Sequence, residues 1–190
     1  MVSIDEGIRF DASLESLSGL KTLSDDGVLT AGSSSQICDG AAAIMIVNDA
    51  GLEKLGLKPR AKIISLALAG DDPVIMLTGP IPASKTVLEK ADLSIEDMDL
   101  YEVNEAFAPV PLAWAHELKA DKEKLNVNGG AMALGHPLGG TGAKLMTTLL
   151  HELERREGKY GLQAICEGGG TANALTVSYT HLTLPTTYHV

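Results

Sequence analysis

Glycines surround chemically active side chains in the second half of this 190-residue chain, and they restrict the folds that it can adopt. The amide of Asn104, the imidazole of His136 and the thiol of Cys166 lie in separate blocks, and glycines flank the last two. Glycine lets the backbone come close to a ligand and exposes its N–H donors. A thiol and an imidazole on separate segments can form a nucleophilic or proton-transfer pair. The blocks therefore predict loops that carry the groups needed for acyl transfer.

Apolar runs alternate with helix-forming segments along most of the chain. The apolar runs predict strands at 41–47, 61–68, 99–103, 160–166 and 171–177, and the first two have the composition of buried strands. Capped or amphipathic segments predict helices at 14–20, 49–55, 80–91, 105–118 and 141–156. In the fourth helix, Pro109 and Pro111 confine regular hydrogen bonding to the later part. Strands that alternate with helices indicate an α/β fold.

The composition argues against several kinds of function. A net charge of −10 disfavours nonspecific nucleic-acid binding, because attraction to phosphate needs Lys and Arg. No apolar run approaches the roughly 20 residues that span a bilayer, and the polar start is unlike a signal peptide. The two cysteines, Cys38 and Cys166, form neither a disulfide framework nor a zinc-ligand pair. We therefore expect a cytoplasmic protein without a metal, a membrane or a nucleic-acid partner.

Several ordered segments share one pattern of spacing. They are Asp5-Glu6-Gly7, Thr30-Ala31-Gly32, Asp39-Gly40-Ala41-Ala42-Ala43, Asn104-Glu105-Ala106-Phe107-Ala108, Asn126-Val127-Asn128-Gly129-Gly130, Gly135-His136-Pro137, and Cys166 with its glycines. In order and spacing they resemble the carboxy-terminal portion of the thiolases, the acetyl-CoA C-acyltransferases, from about residue 5 to about residue 176. The resemblance implies a layered αβαβα fold of two similar halves with an inserted loop domain. It also implies thiolytic cleavage of 3-ketoacyl-CoA by CoA, or the reverse Claisen condensation.

The resemblance divides the chain into four parts. Residues 1–36 correspond to the end of the loop domain, 37–58 to the last strand and helix of the first half, and 59–177 to the carboxy-terminal half. Residues 178–190 contain no charged side chain and no helical periodicity, and we interpret them as a foreign tail. The nucleophilic cysteine of thiolases precedes the loop domain, and Cys38 is not its substitute. The chain alone is therefore expected to be inactive.

The same resemblance gives each block a catalytic role. Cys166 is expected to act as acid or base at the α-carbon of the substrate. His136 is expected to activate the nucleophilic cysteine and to donate to a thioester oxyanion, with a water held by Asn104. The N–H of Gly168 would serve a second oxyanion, and Glu105 would belong to the same polar network. A buried thiol, a surface histidine, a helix cap and tight backbone packing are the structural alternatives for the first four residues.

Coenzyme A enters as a substrate, and no resident cofactor is expected. The resemblance points to Ser35, Arg9, Ala106 and Phe107 as CoA contacts, because a serine hydroxyl can bind the pantetheine amide and arginine can bind phosphate or adenine. Assigning Arg9 requires a one-residue gap in the alignment. Acyl-CoA and CoA are thus the expected partners, and the parent protein is expected to be a homodimer or homotetramer.

The sequence allows three other interpretations of the function. Residues 135–144 are superficially like a phosphate-binding loop, but Ala143 separates Gly142 from Lys144 and no Ser or Thr follows the lysine. A ketoacyl synthase typically has histidine in place of the Cys166-type base, so Cys166 argues against that class. A noncatalytic thiolase-like fragment or interaction module remains the open alternative.

Overall fold

A mixed four-stranded sheet organises the second half of the chain. The computed structural model describes residues 3–179, and its strands are Ala61–Gly70 (β1), Leu100–Val103 (β2), Tyr160–Cys166 (β3) and Thr171–Tyr179 (β4). Their order across the sheet is β1-β4-β3-β2. Strand β4 is antiparallel to β1 and to β3, whereas β2 and β3 are parallel. The carboxyl ends of β2 and β3 therefore meet at one edge of the sheet.

Helices cover both faces of this sheet. The α-helices are Leu14–Ser18 (α1), Asp49–Leu55 (α2), Pro80–Ala91 (α3), Pro109–Leu118 (α4), Ala131–Leu134 (α5) and Thr141–Arg156 (α6). Helices α3 and α4 pack on one face, and α6 packs on the other. This arrangement confirms the predicted α/β class. Among residues 3–179, no helix combines the length and the apolar character that crossing a membrane requires.

The face under α3 and α4 holds the larger core. Trp114 is fully buried, and its Nε1 donates to the Ser84 hydroxyl at 2.8 Å. The ring of Tyr101 meets the indole edge-on with centroids 5.3 Å apart, and the Tyr101 hydroxyl donates to the carbonyl of Ile95 at 2.9 Å. Each aromatic side chain thus buries its apolar body and satisfies its polar end. This core fixes β2 against α4.

Helix α6 covers the opposite face through an apolar stripe. Leu145, Leu149 and Leu153 recur every four residues and are all buried. A Cβ at Gly161 on β3 would lie 3.0 Å from the Leu149 side chain, so this glycine lets the helix approach the sheet closely. The contact sets the position of the first residue of α6, Thr141, at the edge where β2 and β3 end.

Most of the predicted elements agree with the structure. The helices at 49–55, 80–91 and 141–156 and the strand at 160–166 have the predicted bounds, and the 14–20 helix ends at Ser18. The helix expected at 105–118 begins instead at Pro109, because a proline fits the first helical position, where its missing N–H costs nothing. The residues before it form a loop at the sheet edge.

Two predicted strands need correction. Residues 41–47 are neither a strand nor buried, because no strand in the described part of the chain lies beside them to pair. The strand predicted at 61–68 forms as β1 but extends to Gly70 and lies at the edge of the sheet. Its Leu66 and Leu68 are exposed, at 58% and 83%. An apolar run predicts extended backbone, but burial depends on neighbours elsewhere in the chain.

The first two residues of the predicted tail lie in the sheet. Ser178 pairs with Lys62 on β1 and with Tyr160 on β3, and Tyr179 pairs with Ala61, so both residues belong to β4. Their side chains are buried. The rest of the proposed tail, 180–190, lies outside the described residues.

Candidate active site

The carboxyl ends of the two parallel strands bring an amide and a thiol together. Asn104 follows β2 and is 1% exposed, while Cys166 is the last residue of β3 and is 8% exposed. The Asn104 backbone N–H donates to the Ala164 carbonyl at 3.0 Å and continues the backbone hydrogen bonds between β2 and β3. Its side-chain Nδ2 donates to the Cys166 sulfur at 3.8 Å. Two blocks that are 62 residues apart therefore form one contact.

The environment of Cys166 favours the protonated thiol. Burial raises the pKa of the Cys166 thiol, and the hydrogen bond from the Asn104 amide opposes that rise only in part. The thiol is therefore a proton donor at neutral pH, and the amide is placed to stabilise the thiolate that remains after donation. This is the behaviour required of an acid that protonates carbon.

A threonine hydroxyl holds the ring of His136. The Nδ1 of His136 lies 2.6 Å from the hydroxyl of Thr141, which also lies 3.0 Å from the Pro137 carbonyl. When the hydroxyl donates to that carbonyl, it accepts from the ring, so that Nδ1 carries the proton and Nε2 keeps its lone pair. Burial, together with the positive charge of Lys144, lowers the pKa of His136. The imidazole is accordingly a neutral base at pH 7.

Lys144 anchors the loop that carries this histidine. Its ammonium donates to the carbonyl of Leu134 at 2.9 Å and to that of Gly135 at 2.8 Å, the two residues directly before His136. These carbonyls are at the end of α5, where helix geometry leaves acceptors without partners. Lys144 on α6 therefore holds the His136 loop against the helix.

Glu105 joins the first block to the second. Its carboxylate accepts from Nδ2 of Asn126 at 2.8 Å and from the backbone N–H of Met132 at 3.1 Å. A side chain at Gly130 would collide with this carboxylate, so the contact requires glycine at that position. Asn126 also bonds to both the N–H and the carbonyl of Val103 at the end of β2. Glu105 is therefore part of a polar network with Asn126 and Met132, and its predicted link to the oxyanion network of Asn104 and His136 stays a prediction.

A segment at residues 33–38 runs between the first two blocks and contacts both. The N–H of Ser35 donates to the Ala106 carbonyl at 3.0 Å, and the N–H of Ala108 donates to the Ser33 carbonyl at 2.9 Å. Further along, the His136 N–H donates to the Gln36 carbonyl at 2.7 Å. The segment therefore fixes the distance between the two loops.

All three blocks open onto one cleft of about 660 Å³. Its lining contains His136, Cys166, Asn104 and Gly168 and the predicted CoA contacts Ser35, Ala106 and Phe107. Arg9 does not line the cleft and is exposed, so the structure does not bring it to the other candidates. In residues 3–179 no group of three or more His, Cys, Asp or Glu side chains is placed to hold a metal ion.

The sequence did not reveal every residue of the cleft. Thr141 and Lys144 act through contacts that join a helix to a loop, and Asn126 acts through backbone atoms of another strand. Met76 and Leu77 line the cleft from the loop after β1, where Met76 has a positive φ of 64°. That φ is uncommon for a residue with a long side chain. The only local signal was the Asp-Pro pair just before them, which is typical of a turn.

Two family models match this chain. The model described as the thiolase C-terminal domain matches residues 57–179, and the thiolase N-terminal domain matches residues 1–50. The first match alone covers more than half of the chain. This chain belongs to the thiolase family. The three blocks at the cleft are therefore thiolase blocks, and the cleft lies at the edge where β2 and β3 end.

Curated relatives and solved structures extend this result. A steroid 3-ketoacyl-CoA thiolase of Mycobacterium tuberculosis is 55% identical across 92% of this chain and 42% of its own length. An acetyl-CoA acetyltransferase of Cupriavidus necator is 48% identical across 91% of this chain and 44% of its own. The crystal structure of human mitochondrial 3-ketoacyl-CoA thiolase in complex with CoA has a TM-score of 0.86 at 44% identity, covering 94% of this chain and 46% of that one. The chain thus spans less than half the length of these relatives.

Proposed function

We propose that this chain supplies the carboxy-terminal catalytic half of a thiolase that cleaves 3-ketoacyl-CoA with CoA, or catalyses the reverse condensation. The observation that supports it best is the convergence of a neutral His136 imidazole, a protonated Cys166 thiol and the Asn104 amide on one cleft. Such a set provides a base for a thiol, an acid for carbon and donors for an oxyanion.

His136 performs the first proton transfer in this proposal. Its Nε2 takes the proton of the nucleophilic thiol, whose sulfur then attacks the 3-keto carbon. In this proposal Nδ1 carries the ring proton and donates to the Thr141 hydroxyl 2.6 Å away, which leaves Nε2 free to accept. Because the pKa of His136 is lowered, the ring is unprotonated and ready at neutral pH. No cysteine of this chain is proposed as the nucleophile.

Cys166 performs the second transfer. When the bond between the α- and β-carbons breaks, its electron pair stays on the α-carbon of the leaving acetyl-CoA as an enolate. The Cys166 thiol gives its proton to that carbon and becomes a thiolate, with Nδ2 of Asn104 placed 3.8 Å from the sulfur. In the condensation direction the thiolate removes the same proton. The N–H of Gly168 is proposed as an oxyanion donor on the cleft wall.

Coenzyme A and acyl-CoA are the proposed substrates, and neither is a resident cofactor. The support comes from relatives named as 3-ketoacyl-CoA thiolases, one of them crystallised with CoA, and from Ser35, Ala106 and Phe107 lining the cleft. Ser35 accepts no side-chain hydrogen bond within residues 3–179, so its hydroxyl is available to the pantetheine amide. A homodimer or homotetramer of the whole enzyme remains part of the proposal.

The noncatalytic alternative is favoured by one observation for the chain on its own. None of residues 3–66 is buried, and their apolar side chains face solvent. We therefore expect the purified 190-residue chain to show no thiolysis of acetoacetyl-CoA. Robust CoA-dependent cleavage by this chain alone would contradict that expectation.

Complementation tests the catalytic proposal. The chain would be coexpressed with the amino-terminal portion of the Cupriavidus necator relative, and loss of acetoacetyl-CoA absorbance would be followed with and without CoA. We expect activity in the complex and a fall of about 10²–10⁴-fold in kcat for Cys166→Ala or His136→Ala. Cys38→Ser is the matched control and should retain activity. An active complex that tolerates Cys166→Ala would remove Cys166 from the mechanism.

A further inference from the structure

Two buried polar side chains beneath the cleft have no role in the proposed reaction. Glu102 on β2 is 2% exposed and Gln163 on β3 is 3% exposed. The two residues are direct partners in the register of the parallel pair, so their side chains leave the sheet side by side. Leu100, two residues before Glu102, packs in the α6 core, which places Glu102 on the same face. A Cβ at Gly142 of α6 would lie 3.9 Å from Nε2 of Gln163.

The hydrogen-bond pattern of this pair is incomplete in a particular way. Among the described residues, Oε2 of Glu102 and Oε1 of Gln163 are buried oxygens that have no hydrogen-bond donor. A buried acceptor without a donor destabilises the folded state, and more so when it carries charge. In this orientation of the Gln163 amide, two acceptor oxygens lie on paired residues and cannot satisfy each other. A proton on Glu102 changes this, because a carboxylic acid can donate to the amide oxygen beside it.

Glu105, three residues further along, has the hydrogen-bond donors that Glu102 lacks. Its two carboxylate oxygens accept from the Asn126 amide and from the Met132 N–H. Within residues 3–179, no comparable donor reaches Glu102. The two glutamates therefore differ in their partners. Hydrogen-bond donors reach Glu105, whereas Glu102 lies beside the acceptor oxygen of Gln163.

The charges that face Glu102 come from two elements. Glu105 lies beyond the end of β2, and Glu152 and Lys144 lie on α6. Burial, followed by the negative charge of Glu105, raises the pKa of Glu102 to about 8, and Lys144 opposes the rise. Lys144 is the cation in this set, and its ammonium is engaged by the Leu134 and Gly135 carbonyls next to His136.

We propose that Glu102 is a positioning residue held as a neutral carboxylic acid that donates to Oε1 of Gln163, and that its neutrality leaves Lys144 bound to the His136 loop. An ionised Glu102 would attract the ammonium toward itself and away from the two carbonyls. It would also add a buried negative charge below Cys166 and His136. The neutral pair therefore preserves both the position of the loop and the electrostatics of the site.

Infrared spectroscopy of the 190-residue chain tests the first part. At pH 7 the difference between wild type and Glu102→Gln should contain the C=O stretch of one neutral carboxylic acid, lost with a midpoint near pH 8. Glu96→Gln changes an exposed glutamate in the same way and should remove only a carboxylate band. Wild-type spectra in which no acid band survives above pH 6 would overturn the proposal.

The second part is read from His136 itself. The ring resonances of His136 in wild type should show, besides the ring's own titration, a step near pH 8 that reports ionisation of Glu102. Glu102→Gln should lack this step and keep the ring's own midpoint unchanged. A wild-type titration without the second step would overturn the coupling to the loop. If Glu102→Gln does not fold, glutamate carboxyl carbons in wild type decide the matter: one must titrate near pH 8. Neither readout requires thiolase activity, so failure here is distinct from failure of the proposed function.

Discussion

The amino-terminal segment (residues 3–58) and the carboxy-terminal unit (residues 61–179) use the same local signals and differ in burial. Helix α2 in the segment has an Asn48 cap and ends at Gly56, which has the left-handed φ of 61°. Helix α6 in the unit is likewise well formed, but its apolar side is packed against a sheet. No residue from 3 to 58 is buried, whereas the unit contains two hydrophobic clusters.

The difference shows that local structure and stability have separate origins. Capping and helix propensity settle backbone conformation over a few residues, but short helices are marginal without tertiary packing. The free energy of unfolding therefore resides in the carboxy-terminal unit. Equivalent substitutions in the two regions should have unequal effects, and paired variants measure that inequality.

The largest contrast is expected for aromatic residues. Trp114→Ala removes a fully buried ring, its contact with Tyr101 and its hydrogen bond to Ser84, and should cost about 3–5 kcal/mol of the free energy of unfolding. Phe10→Ala removes a ring that is 91% exposed, and it should change the free energy of unfolding by less than about 0.5 kcal/mol. Urea denaturation followed by circular dichroism measures both. Equal losses would mean that the amino-terminal segment packs in solution.

A smaller effect is expected for the charge network on α6. Hydrogen bonds from Arg155, together with those from Asn128 and Arg156, hold the pKa of Glu152 at about 2 despite burial. Glu152→Gln should therefore cost about 2 kcal/mol at pH 7. A depressed pKa stabilises the fold above the unfolded value of 4.5, and this contribution is lost as the pH falls toward 2.

The control for that variant is an exposed glutamate on the same helix. Glu154 binds Arg60 at 2.5 Å, but both side chains are more than 40% exposed. Glu154→Gln should change the free energy of unfolding much less than Glu152→Gln does. The stability difference between wild type and Glu152→Gln, measured by thermal unfolding, should narrow below pH 4.5. A difference independent of pH would assign the effect to packing rather than to charge.

The smallest contrast compares two side chains that hold backbone N–H groups. Asp99 accepts from the N–H groups of Lys159 and Tyr160 at 2.7 and 2.8 Å, at the start of β3. Asp99→Ala should lower the free energy of unfolding by about 1–2 kcal/mol. Asn48→Ala removes the cap of α2, a change that usually costs about 1 kcal/mol, yet it should leave global unfolding unchanged. A shared loss would show that α2 unfolds together with the sheet.

The features that sequence could predict depend on few neighbouring residues. Asn48 and Gly56 bound α2, Pro82 lies in the first turn of α3, and the leucine spacing defines α6, so those bounds agree with the structure. The apolar run at 41–47 predicted a strand wrongly because pairing requires a partner strand, which no local pattern reports. Likewise, no local pattern indicated that Ser178 and Tyr179, two residues of the expected tail, would pair with β1 as part of β4.

The candidate site divides in the same way. The blocks were visible because glycines flank His136 and Cys166. The contact between Nδ1 of His136 and the Thr141 hydroxyl joins a loop to the start of α6, a geometry that residue types alone do not specify. The unpartnered oxygens of Glu102 and Gln163 depend on strand register. Chemistry that arises from the identity of a side chain was predictable, and chemistry that arises from its neighbours was not.

The segment at 33–38 also decides where this polypeptide can be cut and rejoined. A break between 35 and 36 would separate the residues that bond to Ala106 and Ala108 from those that contact His136, and the two loops would lose their common spacer. The exposed turn at Asp25–Gly27 precedes the segment and has no buried neighbour. A split-reporter or circularly permuted form of this chain should therefore open at that turn, so that the spacer stays with the loops it holds.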